Sequence, residues 1–113
     1  MLRVWRLCQV AQQATAFSGD GARRYGGRWN SRGLAAVYTA ATQSLAALEI
    51  LVHVDTDLVP NDFMLFAVDI PESVPVTRIM LEDLFILNPL HPDFPQLVIH
   101  PPEPFIFDRR LWR

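Results

Sequence analysis

The chain contains no lysine: all ten of its basic residues are arginine. Any anion it grips is therefore met by planar guanidinium forks rather than by point-like ammonium groups. Cys8 is the single cysteine, which excludes an internal disulfide and fits a buried small hydrophobe in an opening strand. No charge of one sign dominates, since ten basic against twelve acidic residues leave a net charge of −2. Nothing global therefore draws the chain to nucleic acid or to an anionic membrane, and no direct DNA binding is expected. No apolar run approaches the length of a membrane span. The N-terminal MLRVWRLCQVAQQ breaks its apolar part with arginines, unlike the core of a signal peptide, so a cytoplasmic, bacterial type of protein is expected. Walker, Rossmann, nucleophile-elbow and zinc patterns are missing. His53, His91 and His100 are far apart in sequence and none has ligand spacing with Cys8, so neither a metal nor a resident cofactor is expected.

What remains is a chain of 113 residues, half of them hydrophobic and 19% charged. That suits one folded domain over residues 1–113 with one core. Residues 2–8 alternate as a strand does. Residues 11–33 are rich in Ala, Ser, Gly and Arg and read as irregular backbone with room for a short helix. Residues 34–39 form a short strand with Leu34, Ala36 and Tyr38 on one face. Thr42 or Ser44 can cap the helix that follows, which runs to about Val54 with Ala41, Leu45, Leu48 and Val52 on one stripe. Phe63–Ile70, FMLFAVDI, is the strongest strand, apolar throughout as in a sheet buried on both faces. Beyond it the prolines leave room only for short pieces, at residues 74–79, 97–100 and 105–107, with 81–87 ambiguous. The fold class is α+β, a small mixed or antiparallel sheet with one main helix.

The most informative stretch is GGRWNSRGLAAVYTAATQSLAALE, from Gly26 to Glu49. It sets an arginine in a glycine-rich turn, a tyrosine on a strand and a glutamate on a helix. Arg28, flanked by Arg23, Arg24 and Arg32, can grip a phosphate with two hydrogen bonds. Tyr25 and Trp29 can stack on a flat ring. The same cluster also fits a solvated basic loop anchored by Trp29, or a surface for single-stranded RNA. Tyr38 is either a core aromatic with a bonded hydroxyl or a stacking platform. Glu49 lies on the flank of the helix stripe, where a carboxylate either leans outward or steers a sugar hydroxyl and supports positive charge in a transition state. NPLHPDF, at residues 88–94, reads as a proline-fixed structural turn. FDRRLW, at 107–112, has the mix of a docking strand.

In order along the chain, GGRWNSRG, VYTA, SLAALEILVH, FAVDIP, NPLHPDF and FIFDRRLW resemble the RES domain. The resemblance implies an ADP-ribosyltransferase-like fold. It also implies the toxin half of a bacterial toxin–antitoxin pair, one that degrades NAD+ and releases nicotinamide. NAD+ is then a substrate and not a cofactor. The implied partners are an Xre-type helix-turn-helix antitoxin and a second copy of the chain in a homodimer. On the same resemblance Arg28 and Glu49 are catalytic and Arg28 and Tyr38 line the substrate site; Trp29 and Tyr25 join the expected substrate site as the neighbouring aromatics of the arginine turn.

One departure accompanies the match. In the family a long segment carrying a serine separates the VDIP-like strand from the NP-HPDF block, whereas here Pro71 is followed closely by Asn88. Either the domain is shortened between about residues 71 and 88, near Ile79 and Met80, or Val74-Pro75-Val76 stands where the serine belongs; Ser73 and Thr77 match neither cleanly. We favour the shortening. Three functions follow: a RES-type NAD+-degrading toxin, a catalytically impaired remnant that only binds an antitoxin or dinucleotide, and a small RNA-binding module.

Overall fold

The computed structural model describes residues 1–26, 30–53, 63–80 and 83–106, with helix side chains described as far as Ile50. Among these, seven strands make one sheet: β1 (Leu2–Gln9), β2 (Val37–Ala40), β3 (Phe63–Ile70), β4 (Thr77–Ile79), β5 (Leu84–Leu87), β6 (Val98–Ile99) and β7 (Glu103–Phe105). Two α-helices join them, α1 (Asp20–Tyr25) and α2 (Gln43–His53). The order is β4-β5-β2-β1-β3-β6, with β7 also on β3, and every pairing is antiparallel. The α+β class expected from the sequence is the one observed, with the sheet antiparallel rather than mixed.

The axis is the β1–β3 ladder, paired without a break from Leu2 opposite Ile70 to Gln9 opposite Phe63. Alternate residues of these strands enter two separate cores. Val4, Cys8, Phe66, Val68 and Ile70 meet Val37, Phe85 and Leu87 on one face. Leu7, Phe63 and Leu65 meet Ala40 and Leu84 on the other. Burial on both faces is why FMLFAVDI is apolar nearly throughout. Helix α2 covers the second face. Irregular chain covers the first: Ala16 and Phe17 after a 3-10 turn at Val10–Thr15, then Val74, Phe94 and Leu97. Phe17 meets the Phe66 ring edge-on, with centroids 5.1 Å apart.

Four expected elements are corrected at their edges. The strand expected from Leu34 begins at Val37, because its partner β5 ends at Leu87 and the Asn88–Pro89 turn leaves residues 34–36 nothing to pair with. The piece expected at 74–79 shrinks to Thr77–Ile79, where β5 lies alongside. The piece expected at 97–100 shrinks to Val98–Ile99, since Pro101 and Pro102 have no N–H for a ladder. The last strand lies at Glu103–Phe105, and residues 107–112 fall outside the described residues.

Thr42 caps α2, its Oγ1 accepting the Leu45 N–H at 3.1 Å. The buried stripe differs from expectation. Ala46 and Ala47 face the sheet with Leu45 and Ile50 beside them, while Leu48 is 53% exposed. Small residues let the helix axis approach the sheet closely, and that turns Leu48 away. Val52 and the His53 side chain lie outside the described residues. NPLHPDF is structural, as expected. Asn88 Oδ1 accepts the Leu90 N–H, His91 Nδ1 accepts the Asp93 N–H, and a 3-10 turn at Phe94–Gln96 delivers Leu97 to the core. Gly19, at φ +69°, fits between this loop and the start of β2; a Cβ there would lie 2.8 Å from both Ala36 N and Pro89 Cγ.

The far end of β3 is closed by charge. Arg3 donates from Nε and Nη2 to the two Asp69 oxygens at 2.7 and 2.8 Å, and His100 Nε2 lies 2.7 Å from Asp69 Oδ2. Together with the His100 N–H bond to Ala67 O, this clamps the proline-broken β6–β7 edge onto β3.

Two outcomes test this packing. Leu48→Ala should leave the urea midpoint almost unchanged, within about 0.5 kcal/mol. Ala47→Leu should destabilise by about 1–3 kcal/mol through overpacking. The clamp sets an acid limb. Hydrogen bonds from Arg3 and then His100 hold the Asp69 carboxyl well below the usual carboxylate range. A depressed folded-state pKa contributes stability that is present above the unfolded value, about 3.9, and lost as pH falls below it. Stability followed by circular dichroism should therefore fall as pH drops below about 4, and Asp69→Asn should flatten that limb.

Candidate substrate site

The sheet opens between β1 and β2. On its other side β2 pairs with β5 at all four residues, but among the described residues it meets β1 at one position, Trp5 opposite Ala40. Beyond that position a side chain takes over the ladder's work. Arg6 donates from Nη1 to the Tyr38 carbonyl at 3.0 Å and from Nε to the Ala16 carbonyl at 2.5 Å. Arg6 follows the alternation of Val4 and Cys8, so a guanidinium stands on a core-facing position of β1. Burial lowers its pKa, though an arginine remains charged. The same burial pushes the Cys8 thiol up, with Arg6 partly offsetting the shift. Among the described residues the neighbours of this cation are carbonyl oxygens and a thiol, not a carboxylate. A fixed positive charge in a gap between strands is suited to meet an anion.

The arginine turn is built from short local bonds. Ser18 Oγ accepts the Asp20 N–H where α1 begins, and Asp20 pairs with Arg23 at 2.5 Å and Arg24 at 2.8 Å. Those pairs hold the Asp20 carboxyl below its usual range, the Arg23 hydrogen bond being the larger cause. Two of the four turn arginines are thus engaged within α1 instead of forming a free basic surface. Gly26, at φ +71°, closes the helix with its N–H on Ala22 O, and the Gly33 N–H returns to Arg23 O. Tyr25 is 79% exposed. Arg28 and Trp29 lie outside the described residues, between the bonded positions Gly26 and Asn30.

Asn30 joins this turn to the sheet. Its Nδ2 lies 3.0 Å from Ala22 O, 3.0 Å from Leu34 O and 3.2 Å from Ser31 O. Its Oδ1 accepts the Tyr38 hydroxyl. Tyr38 is half-buried, so the hydroxyl is tied while part of the ring stays open. Strand alternation puts the Tyr38 side chain on the face of Ala40, the face that α2 covers. Glu49 is half-buried on α2, three residues after the buried Ala46 and next to Ile50, at the margin of the packed stripe.

The structure therefore brings Tyr38, Asn30 and α1 into one bonded unit and sets Tyr38 and the helix of Glu49 on one face of the sheet. Tyr25 ends α1, but its side chain is 79% exposed and makes no described bond to Asn30 or Tyr38. Sequence reading passed over Arg6 and Asn30. The signal for Arg6 was an arginine in phase with Val4 and Cys8. Asn30 carried no local signal, because its partners lie in three separate segments. Near the serine question, the exposed Ser73 donates to Gln96 Oε1 at 3.2 Å and Thr77 is exposed on β4. Among the described residues no group of three or more His, Cys, Asp or Glu is placed to hold a metal, and no helix is long and apolar enough to cross a membrane.

Arg6→Met should leave the Tyr38 and Ala16 carbonyls without their donor. An unsatisfied buried polar group costs about 1–3 kcal/mol, so chemical denaturation should show a loss of that order. Arg6→Lys should restore only part of it, since one ammonium cannot reproduce the fork.

Residues 3–91 match the family pattern described as "RES domain". Over 70 residues the chain is 49% identical to the "Toxin Res" of Photorhabdus laumondii, covering 62% of this chain and 45% of that protein. It is 40% identical over 72 residues to the "Toxin Res" of Yersinia enterocolitica, covering 64% and 47%. It is 39% identical over 72 residues to the "Prs ADP-ribosylating toxin" of a Sphingobium species, covering 62% and 45%. The chain spans about half the length of the curated relatives it matches.

Proposed function

The chain belongs to the RES domain family, which is ADP-ribosyltransferase-like, and from that premise we propose that it binds NAD+ and cleaves the bond between nicotinamide and ribose. The observation that carries the reading is that the half-buried Tyr38 and the helix that carries the half-buried Glu49 share one face of the sheet. In this reading Arg28 takes the pyrophosphate as a charge-assisted fork. Tyr38 stacks on the nicotinamide ring, with Trp29 and Tyr25 available at the mouth. Glu49 holds the ribose hydroxyls and supports the charge that grows on the sugar. As the glycosidic C–N bond breaks, its electron pair leaves with the ring nitrogen and neutralises the pyridinium. The oxocarbenium-like ribose is then captured by water, which gives up a proton, or by phosphate.

The relatives' names support a toxin, one of them ADP-ribosylating, and an arrest of growth through NAD+ loss agrees with that. A cytoplasmic location, an Xre-type helix-turn-helix antitoxin and a homodimer belong to the same proposal, as does a shortening between about residues 71 and 88.

Purified protein incubated with NAD+ should release nicotinamide, read by liquid chromatography, and Glu49→Ala should reduce that release by about 100-fold or more. Intact NAD+ after long incubation at high enzyme concentration defeats the catalytic reading. Binding without turnover, read by calorimetry, would identify an impaired remnant instead.

A further inference from the structure

We propose that Asn30 is a positioning residue: a single amide that ties α1 and the Ser31–Leu34 return to the Tyr38 hydroxyl and so sets the tyrosine ring for substrate. The latch rests on geometry alone; its kinetic consequence rests on the NAD+ reading above.

The orientation of the amide follows from its surroundings. Ala22, Ser31 and Leu34 present only carbonyl oxygens to Nδ2, at 3.0, 3.2 and 3.0 Å. The opposite flip would point Oδ1 at three acceptors, so the N–H groups face them and Oδ1 faces Tyr38. The Tyr38 hydroxyl must then be the donor. Its proton is committed inward, away from any ligand. Tyr38 therefore offers substrate its ring, and it is not the acid that protonates a leaving group.

The partners of Asn30 also explain why this position matters. Ala22 belongs to α1, Ser31 and Leu34 to the return of the turn, and Tyr38 to β2. Arg28 lies two residues before Asn30 and two after Gly26, whose N–H is bonded to the same Ala22 carbonyl. Gly26 and Asn30 thus meet on one carbonyl oxygen, that of Ala22. The amide that holds it also holds the tyrosine. No other described side chain bonds to all three segments. Aspartate has the same shape but lacks both N–H groups, and it would set a charge against three carbonyls.

Limited trypsin digestion of the full chain tests the latch without any ligand, because arginines lie both in the turn and on β4. Asn30→Ala should raise cleavage after Arg24, Arg28 or Arg32 about tenfold, the scale of one lost net hydrogen bond, and leave cleavage after Arg78 within about twofold. Acceleration at all sites alike, or at none, overturns the latch. Should Asn30→Ala fail to fold, Tyr38→Phe removes only the hydroxyl and should still speed cleavage in the turn selectively; no selective change overturns the proposal. Initial rates with NAD+ add the second readout. Asn30→Ala, Asn30→Asp and Tyr38→Phe should raise KM about tenfold with kcat within about threefold, because contacts that hold the substrate equally in ground and transition states move KM alone. A fallen kcat with unchanged KM would mean loss of folded enzyme or of a proton donor, and would overturn positioning. A wild-type protein that leaves NAD+ intact defeats the function proposed above, and the digestion pattern then decides the latch alone.

Discussion

The uninterrupted β1–β3 ladder is the constraint on which the rest depends. Eight consecutive pairs join the first strand to the third, and each strand sends alternate residues into opposite cores. A one-residue slip would exchange the two faces, moving Val4 and Val68 from under the N-terminal loop to under the helix. Because both faces must be covered in a small chain, helix and loop divide the task. Helix α2 lies on one side, and three stretches of irregular chain lie on the other. The proline-rich second half suits that use, since it packs Val74, Phe94 and Leu97 without needing long ladders of its own.

The gap beside β1 follows from the same arrangement. β1 is fully paired to β3 but barely to β2, and the unpaired stretch of β2 needs a donor. Arg6 supplies it. A structural need and a chemical opportunity meet at that point, for the side chain that satisfies Tyr38 O also sets a cation in the gap, on the face opposite the Tyr38 ring. Charge elsewhere is handled differently. Arg3, Asp69 and His100 close the far edge, and Asp20 pairs with Arg23 and Arg24 within α1. Among the described residues arginine thus serves as a structural clamp at four places, three of them paired with carboxylates, since Arg78 also meets Asp83 at 2.9 Å. Arg6 is the one set among carbonyls.

Membership of the RES domain family agrees with this architecture, while the chain spans about half the length of its curated relatives. What is present is the region that carries the arginine turn, the tyrosine strand and the glutamate helix. Their described parts, α1 with Asn30, β2 and α2, gather around β2, an interior strand of the sheet. The expected serine has no clear equivalent, since Ser73 is exposed against Gln96 and Thr77 is exposed on β4.

The sequence by itself determined the class of the fold and its strongest strand, and narrowed the helix cap to Thr42 or Ser44. Apolar runs, prolines and a threonine before a helix act over a few residues, and their physics is local. It also determined the candidates Arg28, Tyr38 and Glu49, through residue type and order. Only the tertiary structure decided which face of α2 is buried, because close approach to the sheet favoured Ala46 and Ala47 over Leu48. It alone decided that β2 begins at Val37, where the end of β5 removes the partner for earlier residues. Arg6 and Asn30 belong to that second group. Each is defined by carbonyls from segments separate in sequence, and such bonds exist only once the chain has brought those segments together.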